Sequence, residues 1–223
     1  VFHAAANPQT VTLPIFVGLG ITKELDASIV VVSDPALEHS IPAGWFAGSA
    51  TLDLQKMLQK VIEHVAQSCG AENLIFQGSS AGGFAAMQYS ISFPGSLSVA
   101  INPQTNLSNH YPERVQPYLD ACWGGSLPDQ TTAVTDLIHA YSKAFDNFIL
   151  YVQNEHDTFH LENHFHQWDR SFGDLRGERW NLLSGDWGTG HAAPPPFFQA
   201  AILEYALTFD GNWEDFLQSE DFG

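Results

Sequence analysis

The sequence predicts an α/β fold in which helices cover both faces of a mostly parallel β-sheet. Apolar runs such as Leu13–Val17 and Ser28–Val32 end at turn residues, a pattern typical of strands in a parallel sheet that is covered on both faces. Leu52–Gln67 instead carries apolar residues at helical spacing. Residues 73–83 pass from an apolar run through a turn of small residues into a helix. Together these features favour strands that alternate with helices.

The bounds of each element follow from where an apolar pattern begins and where turn-forming residues stop it. Apolar runs predict strands at Leu13–Val17, Ser28–Val32, Leu74–Phe76, Leu97–Ile101, Phe148–Val152 and Trp180–Leu183. Helical spacing predicts helices at Leu52–Gln67 (ended by Gly70), Gly83–Tyr89, Val115–Trp123, Ala133–Phe145 and Phe197–Leu207. The link Ile21–Ala27 is short for a crossover between parallel strands. Either its helix is minimal or the two flanking strand bounds are wrong.

The chain contains no linker, so we predict one domain over residues 1–223. Residues 106–146 follow a strand and form an insertion, which is either a lid or cap over a site or a plain pair of packing helices. Two cysteines, Cys69 and Cys122, are too few for a disulfide framework. A cytoplasmic location is therefore the default expectation. The chain begins at Val1 rather than at a methionine, so a leader or an N-terminal segment that has been removed is the open alternative.

The charge of the chain excludes two kinds of partner. The net charge of −17 comes from 25 acidic and 8 basic residues, so no basic patch for nucleic acid or an anionic membrane can be assembled. No stretch approaches the roughly 18 consecutive apolar residues of a membrane span. We expect a small-molecule or glycan partner instead.

The turn at Gly78-Ser79-Ser80-Ala81-Gly82 has the pattern G-x-S-x-G between a strand and a helix. Glycines on both sides let the backbones pass closely, and Ser80 then projects from a strained turn at the head of the helix. Helix dipoles at that point favour the negative charge that an acyl transfer develops. The alternative is a tight turn in which the serine only caps the helix.

A serine hydroxyl needs an imidazole to take its proton and a carboxylate to orient that imidazole. Such groups gather at the carboxyl ends of parallel strands. Asp157 follows the Phe148–Val152 strand, and His191 follows the last strand in a glycine-flanked loop. Glu155 is a second candidate for the acid, and Asp186 is expected to shape the loop of His191.

The order Ser80, Asp157, His191, each after a strand, resembles the α/β-hydrolase superfamily from about Leu13 to Leu207. The resemblance implies a Ser-His-Asp triad and an oxyanion hole built from the N–H of Ala81 and an N–H of the loop after the first strand. Leu19 is the choice for that second N–H, with Gly20 as the alternative.

A looser resemblance links the chain to hydrolase-like proteins of bacterial surface-glycan synthesis and glycoprotein export, some of which transfer acetyl groups. It rests on Ser33-Asp34-Pro35, on residues 44–48 and on Asn102-Pro103-Gln104-Thr105.

Two further groups of residues have both a functional and a structural interpretation. Trp45 and Trp187 lie in loops and either line an acyl or sugar pocket or serve packing. His160 and His164 would share a helix face that can hold zinc, but no His-Glu-x-x-His pattern is present. A polar, solvated helix face is the favoured interpretation, and we predict no metal and no cofactor.

These features predict an esterase or O-acyltransferase that acts on an acyl ester, with a glycan among the candidate substrates. The competing hypothesis is a non-catalytic hydrolase-like module that binds a glycan or a partner protein through its aromatic loops.

Overall fold

The computed structural model describes residues 1–128 and 131–219. These residues fold around a parallel sheet in the spatial order β1-β2-β3-β4. Its strands are β1 (Ile75–Ser79), β2 (Leu97–Ile101), β3 (Phe148–Asn154) and β4 (Trp180–Gly185). The predicted fold class, a mostly parallel sheet with helices around it, is confirmed. Because all four strands run the same way, their carboxyl ends meet at one edge of the sheet.

The longer helices are α2 (Leu54–Cys69), α3 (Ala81–Ser90), α4 (Pro112–Trp123) and α8 (Pro196–Leu207). The shorter ones are α1 (Leu19–Thr22), α5 (Leu137–Tyr141), α6 (Thr158–His160), α7 (His166–Phe172) and α9 (Trp213–Leu217). A π-helical segment, Leu161–Phe165, joins α6 to α7. Short 3-10 helices occupy Pro35–His39, Leu107–Asn109 and Gly173–Leu175.

The central strands are buried on both faces, as their uninterrupted apolar runs indicate. In β3, Ile149 and Tyr151 pack into the core that contains Phe84 of α3. The alternate residues Leu150 and Val152 pack with α8 and α9. Side chains of a strand point to opposite faces in turn, so a strand covered twice needs apolar residues at every position.

The predicted first strand, Leu13–Val17, is wrong. That segment forms no regular structure, and Phe16 and Val17 are about half exposed, at 54% and 53%. Phe2 takes its place beside β1, since its N–H donates to the carbonyl of Gln77 and it pairs in parallel with Gly78. Within the predicted strand Ser28–Val32, the bridge to Phe2 is made by Val32. The short Ile21–Ala27 link therefore never crosses between two full strands.

The other elements lie within a few residues of their predicted bounds, with one exception. Asp53 caps α2 by accepting from the N–H of Lys56, and Gly70 ends it at φ 64°. In the insertion 106–146, the predicted helix Ala133–Phe145 is reduced to Leu137–Tyr141. Residues 129 and 130 of the insertion lie outside the described residues.

Both cysteines are free, with Cys69 exposed and Cys122 buried. Across residues 1–128 and 131–219, we find no helix with both the length and the apolar character to span a membrane.

Candidate active site

Ser80 lies at the junction of β1 and α3, in a backbone conformation that residues other than glycine rarely adopt (φ 57°, ψ −118°). The two glycines of the motif make this turn possible. A Cβ on Gly78 would lie 2.1 Å from the carbonyl oxygen of Gly82, and a Cβ on Gly82 would lie 2.3 Å from that of Phe2. Both contacts are with backbone, which cannot move aside as a flexible side chain does. The G-x-S-x-G pattern is thus required by close backbone packing.

Ala81 is the first residue of α3 and is buried. The N–H groups of a helix's first turn have no intrahelical acceptor. The N–H of Ala81 therefore lies next to Ser80 in the position that the sequence predicts for one oxyanion donor.

Asp157 lies just after β3 and binds two histidines. Nδ1 of His160 lies 3.0 Å from each carboxylate oxygen, and His191 is bound by Oδ2, which is 2.5 Å from its Nδ1. The rings of His160 and His191 stack, with centroids 3.9 Å apart and planes 16° apart. His160 is buried, whereas the side chain of His191 is 36% exposed. The structure thus brings Asp157 and His191 together and adds a second histidine that sequence reasoning did not single out for this role.

Two buried asparagines fix the loop that carries His191. The side-chain amide of Asn154 donates to the carbonyls of Gly188 and Gly190, at 2.7 Å each. Asn102 donates to the carbonyl of the residue after His191 and accepts from the N–H of Asn154. These bonds tie the ends of β2 and β3 to the loop after β4, so the position of His191 depends on both asparagines.

The hydroxyl of Ser80 accepts a hydrogen bond from the side-chain amide of Gln104 at 3.1 Å. The same amide lies 2.8 Å from Nε2 of His160, and its oxygen accepts from the indole N–H of Trp45 at 3.0 Å. Among the described residues, no hydrogen bond joins Ser80 to His191. A rotation of the Ser80 side chain or an approach of His191 is needed before a proton can pass directly.

Hydrogen bonding keeps Asp157 charged, whereas burial keeps His160 and His110 neutral. Burial disfavours the ionised Asp157, but hydrogen bonds from His160 and His191 outweigh it and lower the pKa of this carboxyl below its ordinary value. Burial lowers the pKa of His160, and it lowers that of His110 to about 4. The site therefore holds one carboxylate close to two neutral imidazoles, those of His160 and His110.

The structure also decides between several rival residues. Glu155 is exposed and accepts from the hydroxyl of Ser184, so Asp157 is the acid next to His191. Asp186 accepts from the N–H of Gly188 and pairs with exposed His156, which fits its expected role in shaping the loop.

Trp45 is 2% exposed, which favours the packing interpretation, and its role in substrate binding stays a prediction. Its ring packs against Tyr118. Trp187 is half-buried and packs against Phe198; its role in binding stays a prediction.

The basis for choosing Leu19 as an oxyanion donor is also wrong, because no strand precedes it. Leu19 begins the short helix α1 and is 54% exposed. The segment that pairs with β1 is Phe2, and the carbonyl of His3 would lie 2.7 Å from a Cβ on Gly82. The backbone that passes over the serine turn is therefore the run that starts at Phe2 and His3. The small residues that follow it, Ala4 to Ala6, are the signal that could have identified it.

His110, His160 and His164 place ring nitrogens within 4.8 Å of one another. His160 and His164 are buried, so the expected solvated face is wrong for them. Nδ1 of His164 accepts from the backbone N–H of Thr105, which puts the proton of that neutral ring on Nε2. A protonated nitrogen cannot ligate a metal, so the cluster in this arrangement does not fit a metal ion.

A cavity of about 530 Å³ lies away from these residues. Apolar side chains such as Ile62, Phe76 and Leu203 line it, and Ser80, Asp157 and His191 do not. The cavity and the residues that can transfer protons therefore lie in different places. We take the Ser80 site as the candidate active site because it contains the groups that can transfer protons.

No protein-family model and no curated protein matches the chain. Among solved structures, the capsule O-acetyltransferase of Neisseria meningitidis serogroup A has a TM-score of 0.50 at 16% identity, over 80% of this chain and 70% of that chain. Its complex with caged gadolinium has a TM-score of 0.54 at 15% identity, over 89% and 79%. An S-formylglutathione hydrolase from Agrobacterium tumefaciens has a TM-score of 0.45 at 17% identity, over 82% and 64%. The chain has an α/β-hydrolase-like fold, and identities this low establish the fold alone.

Proposed function

We propose that the protein is a serine-dependent esterase or O-acyltransferase in which Ser80 is the nucleophile, His191 the general base and Asp157 the group that orients His191. The observation that carries the proposal is the position of Ser80 in a strained turn at the same sheet edge as the Asp157–His191 pair. Three groups of complementary chemistry at one edge of a parallel sheet are the arrangement that acyl transfer to serine requires.

In the first step the Ser80 oxygen attacks the ester carbonyl, and the proton of the hydroxyl passes to Nε2 of His191. The electron pair of the carbonyl moves to its oxygen, and collapse of this intermediate breaks the bond to the leaving group, which takes the proton from His191. Nδ1 of His191 donates to Asp157 throughout, so the carboxylate stabilises the imidazolium that forms. Water or a second hydroxyl then removes the acyl group by the reverse sequence.

The negative oxygen of the intermediate needs two aligned N–H donors. Ala81 supplies one from the first turn of α3, and we assign the second to Ala4 in place of Leu19. The neighbouring N–H groups of Phe2 and Ala6 already donate to the carbonyls of Gln77 and Pro42, whereas Ala4 follows the residue whose carbonyl faces Gly82.

The proposed substrate is a small or glycan-borne acyl ester. The structural similarity to a capsule O-acetyltransferase supports a sugar hydroxyl as the acyl acceptor or as the alcohol of the ester. The net charge of −17 favours neutral or cationic esters over polyanionic ones.

Hydrolysis of p-nitrophenyl acetate tests the proposal. Ser80→Ala is expected to lower kcat by roughly 10³-fold or more, because no nucleophile remains. Ser79→Ala is the matched control, since it removes the same atoms from the preceding residue. Equal activity of Ser80→Ala and wild type would refute the proposal. An inactive wild-type protein that binds acetylated oligosaccharides would favour the binding module instead.

A further inference from the structure

Asp157 binds two stacked histidines through Nδ1, so the geometry around the carboxylate alone does not say which of them is the base. The hydrogen-bond chain that includes Gln104 and Trp45 decides this question. The inference rests on the proposed function and concerns the same site.

The indole N–H of Trp45 fixes the direction of every bond in the chain. An indole nitrogen only donates, so the atom of Gln104 that it meets at 3.0 Å is the amide oxygen. The amide nitrogen of Gln104 therefore faces the other way. Its two hydrogens are directed to Ser80 Oγ at 3.1 Å and to His160 Nε2 at 2.8 Å.

The direction of these bonds determines where the protons of His160 lie. Because Nε2 of His160 accepts from Gln104, the proton of this neutral ring is on Nδ1 and is donated to Asp157 at 3.0 Å. His160 has no free lone pair left. His191 makes the same bond to Asp157 with Nδ1 but keeps Nε2 free of any such donor among the described residues.

We infer that Trp45 and Gln104 are positioning residues that hold His160 as a neutral, non-basic partner of Asp157 and thereby reserve the role of base for His191. The amide of Gln104 occupies a lone pair of the Ser80 oxygen and cannot accept the hydroxyl proton. That proton is therefore turned away from Gln104 and His160.

Because the two rings stack, the charge of His160 affects how easily His191 can become positively charged. When His191 takes the proton of Ser80, a positive ring forms at a centroid distance of 3.9 Å from His160. A protonated His160 would oppose that charge through like-charge repulsion, whereas a neutral ring presents its face to the cation. The fully buried Trp45, far along the chain from the histidines, thus acts on the reaction through Gln104.

The first experiment reads the tautomer of His160 by ¹⁵N NMR of histidine-labelled wild-type protein. We expect a neutral ring with the proton on Nδ1 across about pH 6 to 8, independent of any activity. A proton on Nε2, or a charged ring, would overturn the inference. If His160 has the expected tautomer but Ser80 does not react in wild type, the proposed function fails while the directional chain stands.

The second experiment compares Trp45→Phe with Trp168→Phe. Each substitution replaces a buried indole by a phenyl ring, but the N–H of Trp168 has no hydrogen-bond partner among the described residues. Trp45→Phe frees Gln104 to turn, so we expect kcat to fall roughly 10- to 100-fold with KM nearly unchanged. The ¹⁵N signals should then show His160 in both tautomers. Equal losses of kcat in the two variants would overturn the inference.

Gln104→Glu gives an independent readout because a carboxylate of the same length accepts where the amide donates. His160 would then lie between two carboxylates, and we expect the NMR signals of an imidazolium at neutral pH together with a lower kcat. A His160 that stays neutral, with unchanged kcat, would contradict the positioning role of Gln104.

Discussion

Acid should destabilise this fold through His164 well before its carboxylates are protonated. His164 is fully buried, and its Nδ1 accepts the N–H of Thr105, so the ring has to be neutral. Burial is the main cause that lowers the pKa of His164 well below its ordinary value. In the unfolded chain the pKa is about 6.5. A folded pKa below the unfolded one means that the stabilisation is present above about pH 6.5 and is lost as the pH falls.

The size of the loss follows from proton uptake by the unfolded chain alone. Such uptake lowers the free energy of unfolding by about 1.4 kcal/mol per pH unit once the unfolded histidine is protonated. Between about pH 7.5 and about pH 5, His164 should therefore account for about 2 kcal/mol. His110 and His160, whose pKa values are also lowered mainly by burial, add to the same trend.

Urea denaturation of wild type and His164→Gln at both pH values measures this contribution. Glutamine can still accept the N–H of Thr105 but takes up no proton, so the variant should lose about 2 kcal/mol less than wild type over this range. His64→Gln, which removes an exposed histidine of α2, controls for the substitution itself. The same pH dependence in wild type and His164→Gln would show that burial of His164 does not make the fold sensitive to acid.

Three further variants test other parts of the account. Gly82→Ala places a Cβ against backbone, 2.3 Å from the carbonyl oxygen of Phe2, and should lower the free energy of unfolding by about 2 kcal/mol or more in urea titrations; Gly173→Ala, which meets no atom within 4 Å, should not. Asp157→Asn should lower kcat for p-nitrophenyl acetate by up to roughly 10⁴-fold through the wrong tautomer of the base, and a small change would contradict its role. Asn154→Ala removes three side-chain hydrogen bonds to the His191 loop and should lower kcat roughly 100-fold. Unchanged kinetics would contradict the role of Asn154 in positioning His191.

The central strands and most helices were predictable because their signals are local. The mostly apolar runs of β2 and β3 reflect burial on both faces, and Gly70 ends α2 where the sequence predicts. The N-terminal strands were not predictable in this way. On the side of β1 away from β2, the structure describes only an isolated pairing with Phe2. The more apolar stretch Leu13–Val17 stays outside the sheet, because an apolar pattern does not say which segment reaches an edge.

The residues of the candidate site were likewise predictable only where their signal is local. Ser80, Asp157 and His191 could be selected because each follows a strand, and their chemical roles remain predictions. Gln104 and Asn102 belong to a stretch that carries the looser resemblance, but their roles in the site were not predictable, because their contacts join segments far apart in the chain. The sequence signal was the position of these polar residues directly after β2, at the sheet edge where the site lies. The structure shows that they are buried there.

Labelling with a fluorophosphonate probe, followed by peptide mass spectrometry, tests most directly whether Ser80 is an activated nucleophile. The account predicts a single covalent adduct on Ser80 of the folded wild-type protein, none on Ser80→Ala, and much slower labelling of His191→Gln. A folded wild-type protein that acquires no adduct, or acquires it at another residue, would contradict the account.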